Sequence, residues 1–417
     1  MRERNRSLLL QLIWRAGRIS RSELARTTGL SPSSVSLIVN ALEQAGLVRM
    51  LGTGASRGGR RPVLLGFFDE AYCIVGVDIG ASHVGVALCN LRGKVRAYEV
   101  RDHPVRDDPA GTLALLDELL ESVLAERWPV ADGDDDATEV PARARVMGIG
   151  VAVPSPVDPR LPGQMSPFVV PAWKGIDLVS ALRARYDVPV AVENDANLGA
   201  LAESWWGVGA GGEDLTYIKI ATGVGSGHVI RGELYRGVGG SAGEIGHIVV
   251  DPAGPACMCG HRGCLVKFVG AEALRERAHE RLLISRPSGA GDPGSVVAQV
   301  VARAQQGDPV AQGLLDEVGH YLGIALAGLV NLLNPAAVVL GGDITQAGEL
   351  LIEPLRASIR FRALSTSIAA TQILVSTLDD RSVAVGAATA VLAAALRDPA
   401  QFATAAERAA RKKHIAS

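Results

Sequence analysis

The segment from His247 to Cys264 carries one histidine and three of the chain's five cysteines, separated by nine, one and four residues. One imidazole and three thiolates are the ligand set of a closed tetrahedral zinc site, and a closed site is structural rather than catalytic. Five cysteines cannot staple a chain of 417 residues, so their crowding points to a metal clip in a reducing compartment. His247, Cys257, Cys259 and Cys264 are the expected ligands, with His261 a surface residue beside them. Such a clip would also hold Glu244 and His247, in Gly243-Glu244-Ile-Gly-His247, as pocket residues.

Charge divides the chain. Residues 1–66 contain eleven Arg, no Lys and three acids, a net +8, and the remainder carries −10. A basic head on an acidic body suggests a nucleic-acid contact confined to the head. Leu9, Leu12, Ile13 and Ala16 recur at helical spacing and Gly17 stops the helix. Ser20 with Glu23 forms a capping box for a second helix, closed by Gly29. Ser31 and Pro32 open a third, with Val35, Ile38, Val39 and Leu42 inward and Gly46 as its stop.

Three short helices with a tight turn before the third form a helix-turn-helix pattern. Ser33, Ser34, Ser36 and Asn40 face outward on its reading helix. Strands at Leu47 to Leu51 and Pro62 to Phe67 then flank a glycine-rich loop bearing Arg57, Arg60 and Arg61, a wing suited to phosphates or a narrow minor groove.

The body reads as alternating strands and helices. Cys73 to Gly80 is a buried strand ending in Asp78 and Gly80, with a second strand at Val84 to Leu88. A Gly-rich turn, Thr222-Gly223-Val-Gly225-Ser-Gly227, follows the strand Leu215 to Ile220, and Gly341-Gly342 follows the strand Ala336 to Val339. These three turns suggest two phosphate loops and a nucleotide-facing loop. Glu193-Asn194-Asp195 ends another strand; Asp195 could take a proton from a hydroxyl that Asn194 orients, or the pair could simply cap a helix. Residues 101–110, 131–140 and 285–295 read as surface linkers. Val310 to Leu333 reads as one or two buried helices packed through Gly319, Gly323 and Gly328, and the tail from Asp398 as a frayed helix. No repeat of fixed period is visible. The apolar runs fall short of a membrane span and the Arg-studded start lacks a signal peptide's apolar core, so a cytoplasmic, nucleoid-associated protein without a membrane partner is expected.

The winged head, Glu193-Asn194-Asp195, Ala242-Gly-Glu244-Ile-Gly-His247 and the Cys-x-Cys-Gly-x-x-Gly-Cys motif together resemble the ROK family of bacterial repressors and sugar kinases, over residues 5 to 396. The resemblance implies a winged helix-turn-helix domain (1–67) ahead of an actin-like, ribonuclease H-like two-lobed α/β fold with the ligand in its cleft. The lobes would be 70–190, rejoined by a helix near 383–396, and 191–382, with the zinc and a dimerisation surface; 397–417 is a tail. It implies sugar hydroxyls held by Asn194, Asp195, Glu244 and His247, zinc on the four ligands above, and Asp195 as the base in members that phosphorylate. Two departures weaken nucleotide and sugar chemistry here. A Glu that usually contacts the sugar is Val266, and the first phosphate loop reads Asp78-Ile-Gly80-Ala-Ser-His83, without the family's second Gly and its Lys. The expectation is a regulator that binds an operator in double-stranded DNA as a dimer or tetramer and responds to a sugar or sugar derivative. Two alternatives are an ATP- and Mg2+-dependent sugar kinase that kept its head, with Asp78, Gly80, Thr222, Gly223, Gly225, Gly341 and Gly342 on the nucleotide, and a body that serves only for dimerisation.

Overall fold

The computed structural model describes residues 2–54, 61–130, 138–281, 293–402 and 405. The expected wing residues Arg57 and Arg60, most of the acidic linker 131–140 and the basic tail lie outside the described residues. Two compact units emerge. One comprises Met1–Pro154, Pro162–Glu193 and Ala387–Ser417; the other comprises Ser155–Leu161 and Asn194–Gly386.

In the first unit, the head is built from α1 (Arg2–Ala16), β1 (Ile19–Ser20), α2 (Arg21–Thr28), α3 (Pro32–Gln44), β2 (Val48–Thr53) and β3 (Val63–Phe67). The caps sit where local chemistry demands them. Glu23 N donates to Ser20 Oγ (3.2 Å) and Ser20 N to Glu23 Oε2 (2.9 Å), which satisfies two orphan donors of α2 reciprocally. Gly29 closes α2 at φ +69°, a backbone conformation that favours glycine. Leu9, Ile13, Leu24, Val35, Val39 and Leu42 are wholly buried and form the head's core. β1 adds a third strand, in the order β1-β3-β2, that the sequence reading did not contain. Two residues are too few for periodicity to show.

The head is tied to the rest of its unit by specific bonds. Trp14 Nε1 donates to Leu91 O at 3.0 Å, and Arg92 donates to Trp14 O at 2.6 Å while its guanidinium lies 4.5 Å from the Trp14 ring. Phe402, in the stretch expected to fray, is fully buried, 6.1 Å from the Tyr72 ring.

The first unit's main sheet joins β4 (Cys73–Ile79), β5 (His83–Asn90), β6 (Val95–Asp102), β9 (Val146–Val153) and β10 (Val190–Asn194) in the order β10-β9-β4-β5-β6. Its chain also forms α4 (Pro109–Ala125), a ribbon of β7 (Arg127–Val130) with β8 (Thr138–Pro141), and α5 (Leu178–Tyr186). The second unit follows the same plan. After α6 (Asp195–Trp206) come β11 (Leu215–Ile220), β12 (Val224–Ile230) and β13 (Glu233–Tyr235), then α7 (Val266–Val269), α8 (Ala271–Arg281), α9 (Pro293–Gln305) and α10 (Pro309–Leu333). β14 (Ala337–Gly341), α11 (Glu349–Arg362), α12 (Ser365–Ala370) and β15 (Gln372–Val375) complete it, and α13 (Ser382–Arg397) leads out of it, its residues from Ala387 onward belonging to the first unit. The sheet order is β13-β12-β11-β14-β15. Both sheets therefore run as an antiparallel meander of three strands with a parallel neighbour on its first strand. The repeat lies in topology, where a search for sequence periods cannot see it.

α10 has the length and hydropathy of a membrane span. Its apolar face instead forms the second unit's core, with Leu314, Leu315, Val318, Leu322 and Leu326 fully buried. Gly319 and Gly323 admit α11, because a Cβ would meet Leu351 O at 2.7 Å and Ser358 Cβ at 2.4 Å. Gly328 does not share that role: among the described residues, nothing lies within 4 Å of a Cβ there.

A sharper demand falls on Gly150 in β9, where a Cβ would lie 1.9 Å from Ala387 O in α13. Backbone cannot step aside as a side-chain tip can. Gly150→Ala should destabilise the protein by about 2–3 kcal/mol, read as a shifted urea midpoint. A midpoint unchanged within error would mean that the α13 contact is looser than described.

Candidate metal centre and ligand site

One ligand atom each from His247, Cys257, Cys259 and Cys264 lies within 4.8 Å of every other. Cys257 Sγ is 3.6 Å from His247 Nδ1 and Cys259 Sγ is 3.5 Å from Cys264 Sγ. Those separations approach the edge of a tetrahedron with zinc–sulfur bonds of about 2.3 Å. The thiols are also electrostatically unlike. A hydrogen bond from the His261 backbone, helped by its side chain, draws Cys259 down to about 6, whereas burial and the neighbouring thiols push Cys264 up. Three adjacent thiolates need a dication to coexist, so the donor set fits zinc.

The loop before the cluster is shaped by two glycines. At Gly243 (φ +98°) a Cβ would lie 1.9 Å from Ser226 O, and at Gly246 2.2 Å from Val224 O. The loop therefore presses its backbone onto β12, and Ser226 reinforces it by donating from N and Oγ to Gly243 O at 2.8 and 3.0 Å. Between the glycines, Glu244 projects toward His247, with Oε2 4.0 Å from Nε2. The expected double duty of His247 is thus divided between its nitrogens: Nδ1 is on the thiol side and Nε2 on the Glu244 side. Partial desolvation and the charge of Asp195 raise the Glu244 carboxyl, against the pull of His247. The charge effect brings Glu244 and Asp195 into one electrostatic site.

Asn194 and Asp195 stand at the junction of β10 and α6. Asn194 is first of all a helix cap: Oδ1 accepts from Ala196 N (3.0 Å) and Asn197 N (3.1 Å), and Nδ2 donates to Ser155 O and Asp195 Oδ1. Asp195 Oδ1 also accepts from Ala196 N at 2.7 Å. Its other oxygen accepts from Lys219 Nζ at 2.7 Å, both side chains being more than four-fifths buried. The sequence reading missed Lys219. It lies 24 positions away on β11, and only strand register brings it to the head of α6.

The expected phosphate loops fare unequally. In the first unit, His83 folds back over Gly80, where a Cβ would lie 2.3 Å from the imidazole, and its Nε2 is 3.3 Å from Asp78 Oδ2. The chain's own imidazole occupies the space above that turn. In the second, the turn is confined to 221–223; Gly225 and Gly227 lie within β12, correcting their placement in a loop. A Cβ on Gly227 would meet Ala196 O at 2.4 Å, so this glycine serves the approach of α6. Gly342, at φ +110°, turns sharply over Ile220 O. Val266, where the family has its Glu, packs on the apolar core.

Behind the Glu244 loop is a pocket of about 530 Å³ whose walls include Ser226, His228, Ile324, Gly328 and Leu332. His228 is buried, with Nδ1 2.9 Å from Thr216 Oγ1 and Nε2 3.2 Å from Ser226 Oγ. Burial holds its pKa down at about 4, against 6.5 ordinarily. A depressed histidine contributes stability that is present above pH 6.5 and is lost as pH falls towards 4, because the unfolded chain takes the proton first. Melting temperature should therefore fall more steeply below about pH 6.5 in the wild type than in His228→Gln; parallel profiles would contradict it.

On the head, α3 is capped by Ser31, whose Oγ accepts from Ser34 N at 3.2 Å. Ser33 and Ser34 share this cap, at 3.0 and 2.8 Å from Ser31 Oγ. Two of the four expected base-facing side chains are thus engaged in the helix start. Ser36 is half-buried, and Asn40 and Arg61 are exposed.

Comparison with known proteins accords with this geometry. The ROK family profile matches residues 74–394 and a winged helix-turn-helix DNA-binding profile matches residues 2–49. The xylose repressor of Bacillus subtilis is 31% identical over 388 residues, covering 93% of this chain and 94% of that protein. The DNA-binding transcriptional dual regulator NagC of Escherichia coli is 30% identical over 390 residues, covering 93% and 92%. A crystal structure of a ROK family transcriptional regulator, a homologue of the E. coli MLC protein, superposes with a TM-score of 0.79 at 26% identity, covering 97% of this chain and 99% of that one. The chain belongs to the ROK family, with a winged helix-turn-helix domain preceding the ROK body.

Proposed function

We propose that this protein is a transcriptional repressor whose head binds an operator and whose body binds a sugar or sugar derivative that releases it. The observation that carries the reading is the Lys219–Asp195 ion pair at 2.7 Å. Both oxygens of the would-be base are already engaged, Oδ2 by Lys219 Nζ and Oδ1 by Ala196 N and Asn194 Nδ2, an arrangement that suits a fixed acceptor for a sugar hydroxyl. With His83 lying over the first phosphate loop, this supports binding rather than phosphoryl transfer. Asp195, Glu244 and His247 Nε2 would hold hydroxyl groups. Zinc on His247 Nδ1 and the three thiols would fix the loop that presents two of them.

Effector and operator would be coupled through α13. Gly386 in its first turns presses on α6, a Cβ there lying 2.0 Å from Leu198 O, one turn beyond Asp195. At the other end of α13, Leu396 O accepts from Ser7 Oγ (2.9 Å) and Gln11 Nε2 (3.2 Å) of α1. α13 is continuous in sequence from Gly386 to Leu396, so a displacement of α6 on binding would be passed along its backbone to the head. Replacing Ser7 and Gln11 together with Ala should leave sugar affinity within about twofold while reducing sugar-induced operator release. Unaltered release would remove α13 from the mechanism.

The named relatives suggest the first compounds to test, xylose and N-acetylglucosamine, beside their phosphates. Calorimetric titration of the full chain, paired with a coupled ATP-turnover assay, tests the reading. Saturable binding of one compound without turnover is expected; sugar-dependent turnover abolished by Asp195→Asn would favour a kinase.

A further inference from the structure

We infer that Leu37 is a base-reading residue that packs against the 5-methyl group of an operator thymine. α3 turns one stripe to solvent, Ser33, Leu37, Asn40 and Gln44, at spacings of four, three and four residues. The helix's other large apolar residues, Val35, Ile38, Val39 and Leu42, are at most 7% exposed, yet Leu37 is 57% exposed in the middle of that stripe. Isolated surface leucines are common and need no function. Leu37 differs by its place, on the face that a helix-turn-helix presents to the major groove, in a head of net charge +8.

The chemistry around it narrows the partner. The Ser33 and Ser34 hydroxyls are engaged with Ser31 at the helix start, which leaves Leu37, Asn40 and Gln44 as the stripe's most discriminating side chains. An amide can pair with adenine N6 and N7, but Leu can neither donate nor accept. Among base edges in the major groove, the thymine methyl is the apolar one, and contact with it is the favourable use of an isobutyl group placed there. Leu37 would thus supply discrimination that the serines cannot, independently of which sugar the body binds.

The test uses the full-length protein and operator sites selected from random-sequence DNA. Each thymine is replaced in turn by deoxyuridine, which removes only the methyl group. At one or more positions per half-site the wild type should lose about fourfold in affinity, the value of one methyl group withdrawn from an apolar contact. Leu37→Ala should bind the parent site more weakly and be indifferent to the same replacement, and Leu37→Met should regain part of the sensitivity. Indifference of the wild type at every thymine, or an equal loss in Leu37→Ala, would overturn the assignment. Failure to recover any preferred site would overturn sequence-specific DNA recognition by the head as well.

Discussion

Cys259→Ser should bind less than one equivalent of zinc per chain and melt on the order of 10 °C lower than the wild type. The size of the effect follows from what the four ligands connect. His247 ends the loop that Gly243 and Gly246 press against β12, and Cys264 is fully buried, leading into α7. Among the described residues in this stretch, the links between the two ends are short backbone bridges, Val249 with Cys264 and Ala256 with Arg262. Without the metal, three thiols and an imidazole face one another with nothing to balance them. His261→Ala should retain the metal, since that ring lies beside Cys259 and outside the group of four. Metal analysis with calorimetry reads both variants; a full equivalent of zinc in Cys259→Ser would show that the ligand set is different.

The second large effect is expected at Asp195. Asp195→Asn keeps the shape of the α6 start but removes the charge that pairs with Lys219 at 2.7 Å. A charge-assisted hydrogen bond to a ligand hydroxyl is worth about 1.5–3 kcal/mol, so effector affinity should fall by about 10- to 100-fold. The largely buried ammonium left behind adds to the loss. Operator affinity without effector should stay within about threefold, because neither residue belongs to the head. Wild-type effector affinity in Asp195→Asn would take this carboxylate out of the binding site.

What the sequence made legible, and what it hid, follows from the range of the interactions. Ser20 with Glu23, Gly29, and Ser31 with Pro32 act within one turn of chain, and each is found where local chemistry puts it. The four candidate metal ligands are similarly local, lying within one stretch from His247 to Cys264. Lys219, by contrast, meets Asp195 only because β11 lies beside the start of α6, a fact of topology. Gly225 shows the opposite error: a run of glycines invited a loop, whereas register pairs Gly225 with Lys219 inside a hairpin. Of the two readings of Asn194, the helix cap is present, its oxygen accepting from Ala196 N and Asn197 N. The helical period places Val35, Ile38, Val39 and Leu42 inward and leaves Leu37 off that stripe without a role; its 57% exposure is what singles it out.

In the proposed mechanism, sugar binding in the body and operator release by the head are coupled. The most direct measurement titrates the protein on its selected operator with xylose, N-acetylglucosamine, other common sugars and their phosphates, at concentrations up to millimolar. One compound should weaken operator binding by about 100-fold, which needs about 2.7 kcal/mol of preference for the released state, and Asp195→Asn should shift this response to higher concentration. Operator affinity indifferent to every compound would contradict it and leave the body without a regulatory ligand of this class.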